Sequence, residues 1–320
     1  MSARAIARAF APASVGNVAV GFDILGHALE HVGDTVTAAR TAAPGVRIEA
    51  VAGLDRALPV DHTRNTAGVA VQSLLDATGA GFGVALRIDK GVPLSSGMGG
   101  SAASAVAAAV AANALLDAPL DTAALLPHCV AGEAVASGSL HGDNVAPSLL
   151  GGLVLVGLGA QPTAQTIAVP AGLRCVLLHP HRNLDTRAGR ALLKADYPLR
   201  DVVAQTSRLA TVLAACFTGE RERLRGALED VLVEPQRAGQ LPGFAAIKTA
   251  ALDAGAYGCS LSGSGPSLFA WCDAHQADGV SAAMAAACDA TGCASDRYVS
   301  RIDAPGARLV DADAVAVGGA

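Results

Sequence analysis

The chain has 320 residues, 52% of them hydrophobic and 16% charged, and a formal net charge of −5. That composition builds a large core and excludes a disordered chain. The acidic balance, with 3% aromatics, also excludes a broadly basic nucleic-acid binder or a base-stacking platform, so no nucleic-acid partner is expected.

At about 150 residues per domain the length suggests two domains. Strand-like runs lie at Ala3–Phe10, Thr35–Ala39, Val46–Val51 and Gly83–Asp89, with helical patterns at Asn65–Ala77, Ser101–Leu116 and Thr122–Ala136. An apolar strand at Gly152–Leu158 precedes Gly159-Ala-Gln-Pro162, which reads as a boundary between domains 1–161 and 162–320. The second half restarts with a strand at Leu173–His179. Helices are expected at Thr186–Lys194, Arg200–Phe217, Glu220–Leu232, Phe244–Ala254 and Ala274–Cys288, and strands at Ala256–Leu261, Ser267–Cys272 and Tyr298–Ile302. This mixed order predicts an α+β fold rather than a regular β-α-β wind.

The longest apolar stretch, Ala102–Leu116, is interrupted by Ser104 and Asn113 and is shorter than the ~20 residues of a spanning helix, so no membrane partner is expected. Arg4 and Arg8 break the mildly apolar N-terminal run, against a signal-peptide core. The seven cysteines are odd in number and form no Cys-x-x-Cys pair. Buried free thiols in a reducing cytoplasm fit that count better than disulfides or structural zinc.

The most informative segment is Pro93, Leu94, Ser95, Ser96, Gly97, Met98, Gly99, Gly100, Ser101, Ala102, Ala103 and Ser104, between a strand and an Ala-rich helix. Glycines let backbone amides approach an anion, and the helix N-terminus adds about half a positive charge. Ser101 and Ser104 add hydroxyls for phosphate or metal. No Walker A string occurs. Gly97-Met-Gly99-Gly100-Ser101-Ala102 fits the dinucleotide fingerprint, but a helix follows where that fold needs a second strand.

The Pro-x-x-x-Gly-x-Gly-x-Ser-Ala string resembles the second motif of the GHMP small-molecule kinases. Ala11-Pro-Ala-Ser14-Val-Gly-Asn17 through Gly26 resembles their first motif, and Ser260-Leu-Ser262-Gly263-Ser264-Gly265-Pro266 their third. Gly21-Phe-Asp23, His141-Gly-Asp143-Asn144, Glu234-Pro-Gln-Arg237 and Leu241-Pro-Gly-Phe244 resemble the homoserine kinase branch. The resemblance spans nearly the whole chain. It implies an N-terminal ribosomal-protein-S5-like α+β domain, a C-terminal ferredoxin-like domain, and a homodimer as a possible assembly. It also implies transfer of the ATP γ-phosphoryl group, with Mg²⁺, to the side-chain hydroxyl of L-homoserine, giving O-phospho-L-homoserine for threonine synthesis. A GHMP kinase for another small alcohol and a non-catalytic ligand sensor on the same fold are the alternatives.

Homoserine carries an ammonium, a carboxylate and a hydroxyl, so a selective site needs an acid, a base and polar orienters. Asp23 is the expected ammonium partner; Asn17 would orient the hydroxyl or carboxylate. Arg237 and Arg190 are candidates for the carboxylate, which guanidinium binds bidentately, with Arg187 a competitor. His141 would orient substrate. The resemblance implies that Glu133 and Ser101 hold Mg²⁺. Asp143 or Asn144 lies where related kinases carry a proton acceptor, and phosphoryl transfer can instead run by positioning, with the proton passing to phosphate. Ser262, Gly263 and Ser264 would close the site over substrate or phosphate. Asn65 either caps a helix or touches the nucleotide. Gly100 stands where the family string usually carries Ser, which removes one hydroxyl donor to phosphate.

Overall fold

Burial along Ile6–Gly16 alternates and then becomes continuous, as expected of a strand that leaves a half-solvated sheet edge and enters a core. The computed structural model describes residues 4–311 apart from 55, 139, 160, 161 and 185, so Ala3 of the expected first strand and part of the expected boundary lie outside the described residues. That first strand is β1 (Ile6–Gly16), paired antiparallel with β2 (Leu25–Thr41). β2 is much longer than the predicted Thr35–Ala39. Gly26 and Gly33 lie inside it: a Cβ at Gly26 would lie 1.7 Å from the Asp143 carbonyl oxygen and one at Gly33 2.2 Å from that of Ala11. These glycines mark close backbone approach inside a strand rather than its end.

β3 (Gly45–Ala52), α1 (Thr66–Thr78), β4 (Gly83–Asp89), α2 (Gly100–Asn113), α3 (Leu126–Ser137), α4 (Val145–Leu150), β5 (Leu153–Gly157) and β6 (Thr163–Ile167) follow. β4 lies between β2 and β3, antiparallel to the first and parallel to the second. β5 pairs with β2, and β6 with β5. The division at 161/162 therefore falls between β5 and β6, two paired strands of the first sheet.

Helix α2 is buried on nearly every side, which its small alanines permit between the sheet and helices α1 and α3. Gly132 lets α3 approach closely: a Cβ there would meet the Thr66 carbonyl oxygen at 2.5 Å and the Ala105 Cβ at 3.2 Å. This contact brings the next residue, Glu133, against the start of α2.

The second half contains β7 (Leu173–Pro180), α5 (Thr186–Ala191), α6 (Leu199–Thr218), α7 (Glu234–Arg237), α8 (Phe244–Asp253), β8 (Gly258–Leu261), β9 (Leu268–Asp273), α9 (Ala277–Asp289) and β10 (Ser295–Arg301). Its antiparallel sheet runs β10-β7-β9-β8. With α8 before β8 and α9 before β10, that is the ferredoxin-like order. A short strand β11 (Arg308–Leu309) returns to β1.

The predicted helix Glu220–Leu232 is instead one 3-10 turn at Arg221–Leu224. Gly226, at φ +74, stops it. Asp230 then accepts the backbone N–H groups of Leu232, Val233 and Glu234 at 2.8, 3.0 and 2.8 Å, which starts α7.

One hydrophobic cluster joins the halves: Val15, Leu25 and Leu29 pack with Leu173, Cys175, Phe269 and Trp271. Buried His27 lies inside it. Its Nδ1 donates to the Ala28 carbonyl at 2.9 Å and its Nε2 accepts from Trp271 Nε1 at 3.2 Å, which fixes the neutral tautomer. Burial pushes the His27 pKa down to about 4. All seven cysteines are free and buried. Among the described residues no helix is long and apolar enough to cross a membrane.

Candidate active site

A cavity of about 670 Å³ opens between the two halves. One wall is the glycine loop before α2, the other the glycine turn between β8 and β9. The two are packed back to back. Ser262 Oγ donates to the Gly97 carbonyl at 2.6 Å, and Ser267 N–H to that of Ser96 at 3.2 Å. Gly97 and Gly99 adopt φ +76 and +66, and a Cβ at either would strike backbone or side-chain oxygen within 2.5 Å. Both therefore have to be glycine.

Pro93, Leu94, Ser95, Ser96, Gly97, Gly99, Gly100 and Ser101 line the cavity. Met98, Ala102 and Ala103 are buried behind it. Ser104 also turns away: its Oγ donates to Asp34 Oδ2 at 2.6 Å. Asn65 is not among the lining residues; its Oδ1 accepts the Ala67 N–H at 3.0 Å and its Nδ2 donates to the Pro59 carbonyl at 2.8 Å. It caps α1, the alternative expected from its position.

At the mouth of α2, Ser101 Oγ donates to Glu133 Oε1 at 2.9 Å. Burial pushes the Glu133 pKa up to about 7; Ser101 opposes the shift and the Asp143 carboxyl adds to it. Asp143 is likewise pushed up to about 7, first by burial and then by the Asp23 charge. Asp143 Oδ2 accepts the Asn17 N–H at 3.2 Å and the Asn144 side-chain amide at 3.3 Å, while Asn144 Oδ1 accepts from Ser14 Oγ at 2.9 Å.

The far end of the cavity is ionic. Asp23 accepts from Arg190 Nη2 at 2.7 Å on Oδ1 and 3.0 Å on Oδ2, and His141 Nδ1 lies 3.4 Å from the same Oδ2. Nε2 of His141 is buried with no hydrogen-bond partner among the described residues. Burial keeps the His141 pKa low.

Arg237 donates to the carbonyls of Gly189 at 3.1 Å and Gly263 at 3.2 Å. It and Arg190 each stand 5.3 Å from the Phe22 ring centre. The side chain of Arg187 lies outside the described residues.

The loop bearing Asn17 and Asp23 is strained. Asn17, Val18, Ala19 and Asp23 all have positive φ (69, 42, 57 and 63), at about 1–2 kcal/mol each. Asn17 offsets part of this by accepting the Asp23 N–H at 3.0 Å and donating to the Gly263 carbonyl at 3.0 Å. Strain held by surrounding bonds in this way is characteristic of functional positions.

Sequence reasoning brought Asn17, Asp23, Glu133, His141, Asp143, Asn144, Arg190, Arg237, Gly263 and Ser264 to this one cavity. It did not find Lys90, Phe22, Asn183 or Leu184, which also line it. A lysine one residue beyond a strand and just ahead of a glycine loop was the legible signal for Lys90.

The family model "GHMP kinases N terminal domain" matches residues 65–152 and "GHMP kinases C terminal" matches residues 212–290. A homoserine kinase of Xanthomonas campestris pv. campestris is 53% identical over 95% of this chain and 94% of its own length. One from Chlorobium phaeobacteroides is 41% identical over 95% and 99%. The crystal structure of homoserine kinase from Cytophaga hutchinsonii superposes with a TM-score of 0.93, at 38% identity over 97% of this chain and 99% of that one. A mevalonate kinase from L. major shares the fold, at 19% identity and a TM-score of 0.67. With both family models matched and this identity spread over nearly its whole length, the chain belongs to the GHMP kinases, in the homoserine kinase family.

Proposed function

We infer that this chain transfers the γ-phosphoryl group of ATP to the side-chain hydroxyl of L-homoserine, giving O-phospho-L-homoserine on the way to threonine. The observation that carries the reading is the Asp23–Arg190 pair, contributed by the two halves, at one end of a cavity whose other end is a glycine loop. A free amino acid presents both charges to such a pair. Its ammonium replaces the guanidinium at Asp23, and its carboxylate takes up Arg190 and Arg237. His141 Nε2, buried without a hydrogen-bond partner among the described residues, and Asn17 are left to orient the substrate.

The glycine loop offers backbone amides and the N-terminus of α2 to the phosphates. Transfer of this kind needs positioning and charge stabilisation more than covalent work from the protein. Ser101 and Glu133 are hard oxygen donors beside that loop, and a carboxyl pushed up to about 7 by burial gains most from a cation. They fit Mg²⁺, which takes few protein carboxylates and completes its shell with water and phosphate. When bound, Mg²⁺ neutralises charge on the phosphate oxygens. Asp143, also near 7, is tuned to hold the hydroxyl proton at neutral pH, and Asn144 and the Asn17 N–H fix its carboxyl.

The Ser262–Ser264 turn is read as the wall that closes the site, through its bonds to Asn17 and Arg237. A domain boundary after β6 is read from the β5–β6 hairpin. A cytoplasmic location is read from the seven buried free thiols. Self-association rests on the family resemblance alone. The experiment is incubation with ATP, Mg²⁺ and L-homoserine, followed by ³¹P NMR. A phosphomonoester signal that scales with enzyme supports the reading; ATP consumption with mevalonate or shikimate but not homoserine overturns it.

A further inference from the structure

Beneath the glycine loop lies a charge pair that sequence reasoning did not single out. The side chains of Lys90, just after β4, and Asp34, in β2, are 2% and 0% exposed and form an ion pair. Lys90 Nζ also donates to the Gly100 carbonyl at 2.6 Å and to Ser104 Oγ at 3.0 Å. Ser104 Oγ donates in turn to Asp34 Oδ2, and Asp34 Oδ1 accepts the backbone N–H groups of Gly91 at 3.0 Å and Val92 at 3.1 Å. One carboxylate thereby ties together a central strand, the entry to the loop and the first turn of α2.

The Gly100 carbonyl belongs to the same planar trans peptide as the Ser101 N–H, so the two point in opposite directions. Anchoring the carbonyl on Lys90 therefore sets the direction of that amide, one of the free donors at the helix N-terminus. It also sets where the Ser101 hydroxyl begins. A buried ion pair is weak evidence for stability, because an apolar pair of similar volume often holds a fold as well or better. An apolar pair would not hold the Gly100 carbonyl.

The same packing accounts for glycine at position 100. A Cβ there would lie 3.1 Å from Val92 Cγ1 and 3.5 Å from Lys90 Nζ. A side chain there would require Val92 to give by a few tenths of an ångström.

We propose that Asp34, Lys90 and Ser104 are positioning residues for the phosphate loop: they orient the Gly100–Ser101 peptide toward the nucleotide and act on phosphoryl transfer through it. The proposal rests on reading this loop as the nucleotide site. ADP binding tests it without homoserine, so an error in the substrate assignment leaves the test intact.

The variants are the double Asp34→Asn/Lys90→Met, which removes both charges but keeps an acceptor for Gly91 and Val92, and Ser104→Ala, which keeps the ion pair. Calorimetry with Mg²⁺ gives the ADP Kd, and fluorescence of buried Trp271, the only tryptophan, reports folding. The double variant is expected to fold and to bind ADP about tenfold or more weakly, the scale of a lost hydrogen bond to a charged group, and Ser104→Ala about two- to fivefold more weakly, the scale of a weaker ordinary hydrogen bond. In the double variant the homoserine KM should stay within about threefold, because the loss is local to the loop. ADP affinity within about twofold of the parent in the folded variants overturns the proposal, as does an equal rise in ADP Kd and homoserine KM. If the double variant does not fold, Ser104→Ala decides: weaker ADP binding supports the proposal and unchanged binding overturns it.

Discussion

On the proposed function, the two ends of the cleft solve opposite problems by opposite means. At the end assigned to phosphate, the donors on offer are backbone amides on a loop packed against a second glycine turn, and the charges beneath it are buried and paired. At the other end, long side chains from both halves meet: Asp23, Arg190, Arg237 and His141. A polyphosphate is the same in every kinase, so a rigid main-chain cradle serves it. An amino acid has to be told apart from other alcohols, and side chains that carry charge do that. The difference predicts that the phosphate end tolerates almost no change in shape, whereas the substrate end tolerates shape but not charge.

The largest effect expected is at Glu133. Glu133→Gln keeps the shape and the Ser101 contact but removes the anion offered to a cation. Turnover should fall by about 10²–10³-fold, the scale of losing one preorganised electrostatic group, with homoserine affinity little changed. Steady-state kinetics at saturating homoserine check this; near-normal turnover would remove Glu133 from the metal site.

Next comes the identity of the charge at the substrate end. Arg190→Lys keeps the charge but loses the two-pronged donor. It should lower kcat/KM for homoserine by about tenfold, or ~1.4 kcal/mol, and leave the ATP KM unaltered. An equal loss for both substrates would break the division between the ends.

The pH dependence of stability comes third. Glu133 and Asp143 titrate near 7 in the folded chain and near 4 when unfolded. Between those values the folded state binds more protons than the unfolded state, so the contribution of these two groups is full below about pH 4 and is lost as pH rises through 7. At about 1.4 kcal/mol per pH unit between the two values, the two together account for up to about 8 kcal/mol of that fall. Urea midpoints read on Trp271 at pH 5 and pH 8 should show the decline, Glu133→Gln should flatten it, and Mg²⁺ with ADP should offset it at pH 8. Stability that rises across this window would contradict the burial assigned to these carboxyls.

The smallest effect is at position 100. Gly100→Ser should destabilise the fold by about 1 kcal/mol through crowding against Val92. The substitution should change the ATP KM by less than about threefold, since the amide is kept. Val92→Ala in the same chain should recover part of the stability, which thermal melts would show.

Much of this was legible in the sequence because three glycine-bearing strings resemble the motifs of a known kinase family, in order and over nearly the whole chain. On their own a glycine turn caps a helix and an arginine solvates a surface; the glycine loop, Asp23, Glu133 and both arginines stand out through that resemblance. What stayed hidden depended on contacts between distant segments. The strand expected at Thr35–Ala39 extends back to Leu25 because the missing side chains of Gly26 and Gly33 let it pass the Asp143 and Ala11 carbonyls. Asn65 and Ser104 are polar residues near the loop, and only their partners show that one caps a helix and the other faces inward to Asp34. Lys90 and Asp34 are 56 positions apart, and no local pattern links them. The predicted helix at 220–232 failed because Asp230 captures three successive amides, a competing local structure that composition does not reveal.

The most direct test of the division between the two ends is Asp23→Asn, titrated by calorimetry with L-homoserine and separately with ADP and Mg²⁺. Homoserine affinity should fall by about 10²-fold, the loss of a charge-assisted contact of ~2–3 kcal/mol, while ADP affinity stays within about twofold of the parent. Equal weakening of both ligands, or undiminished homoserine binding, would contradict it.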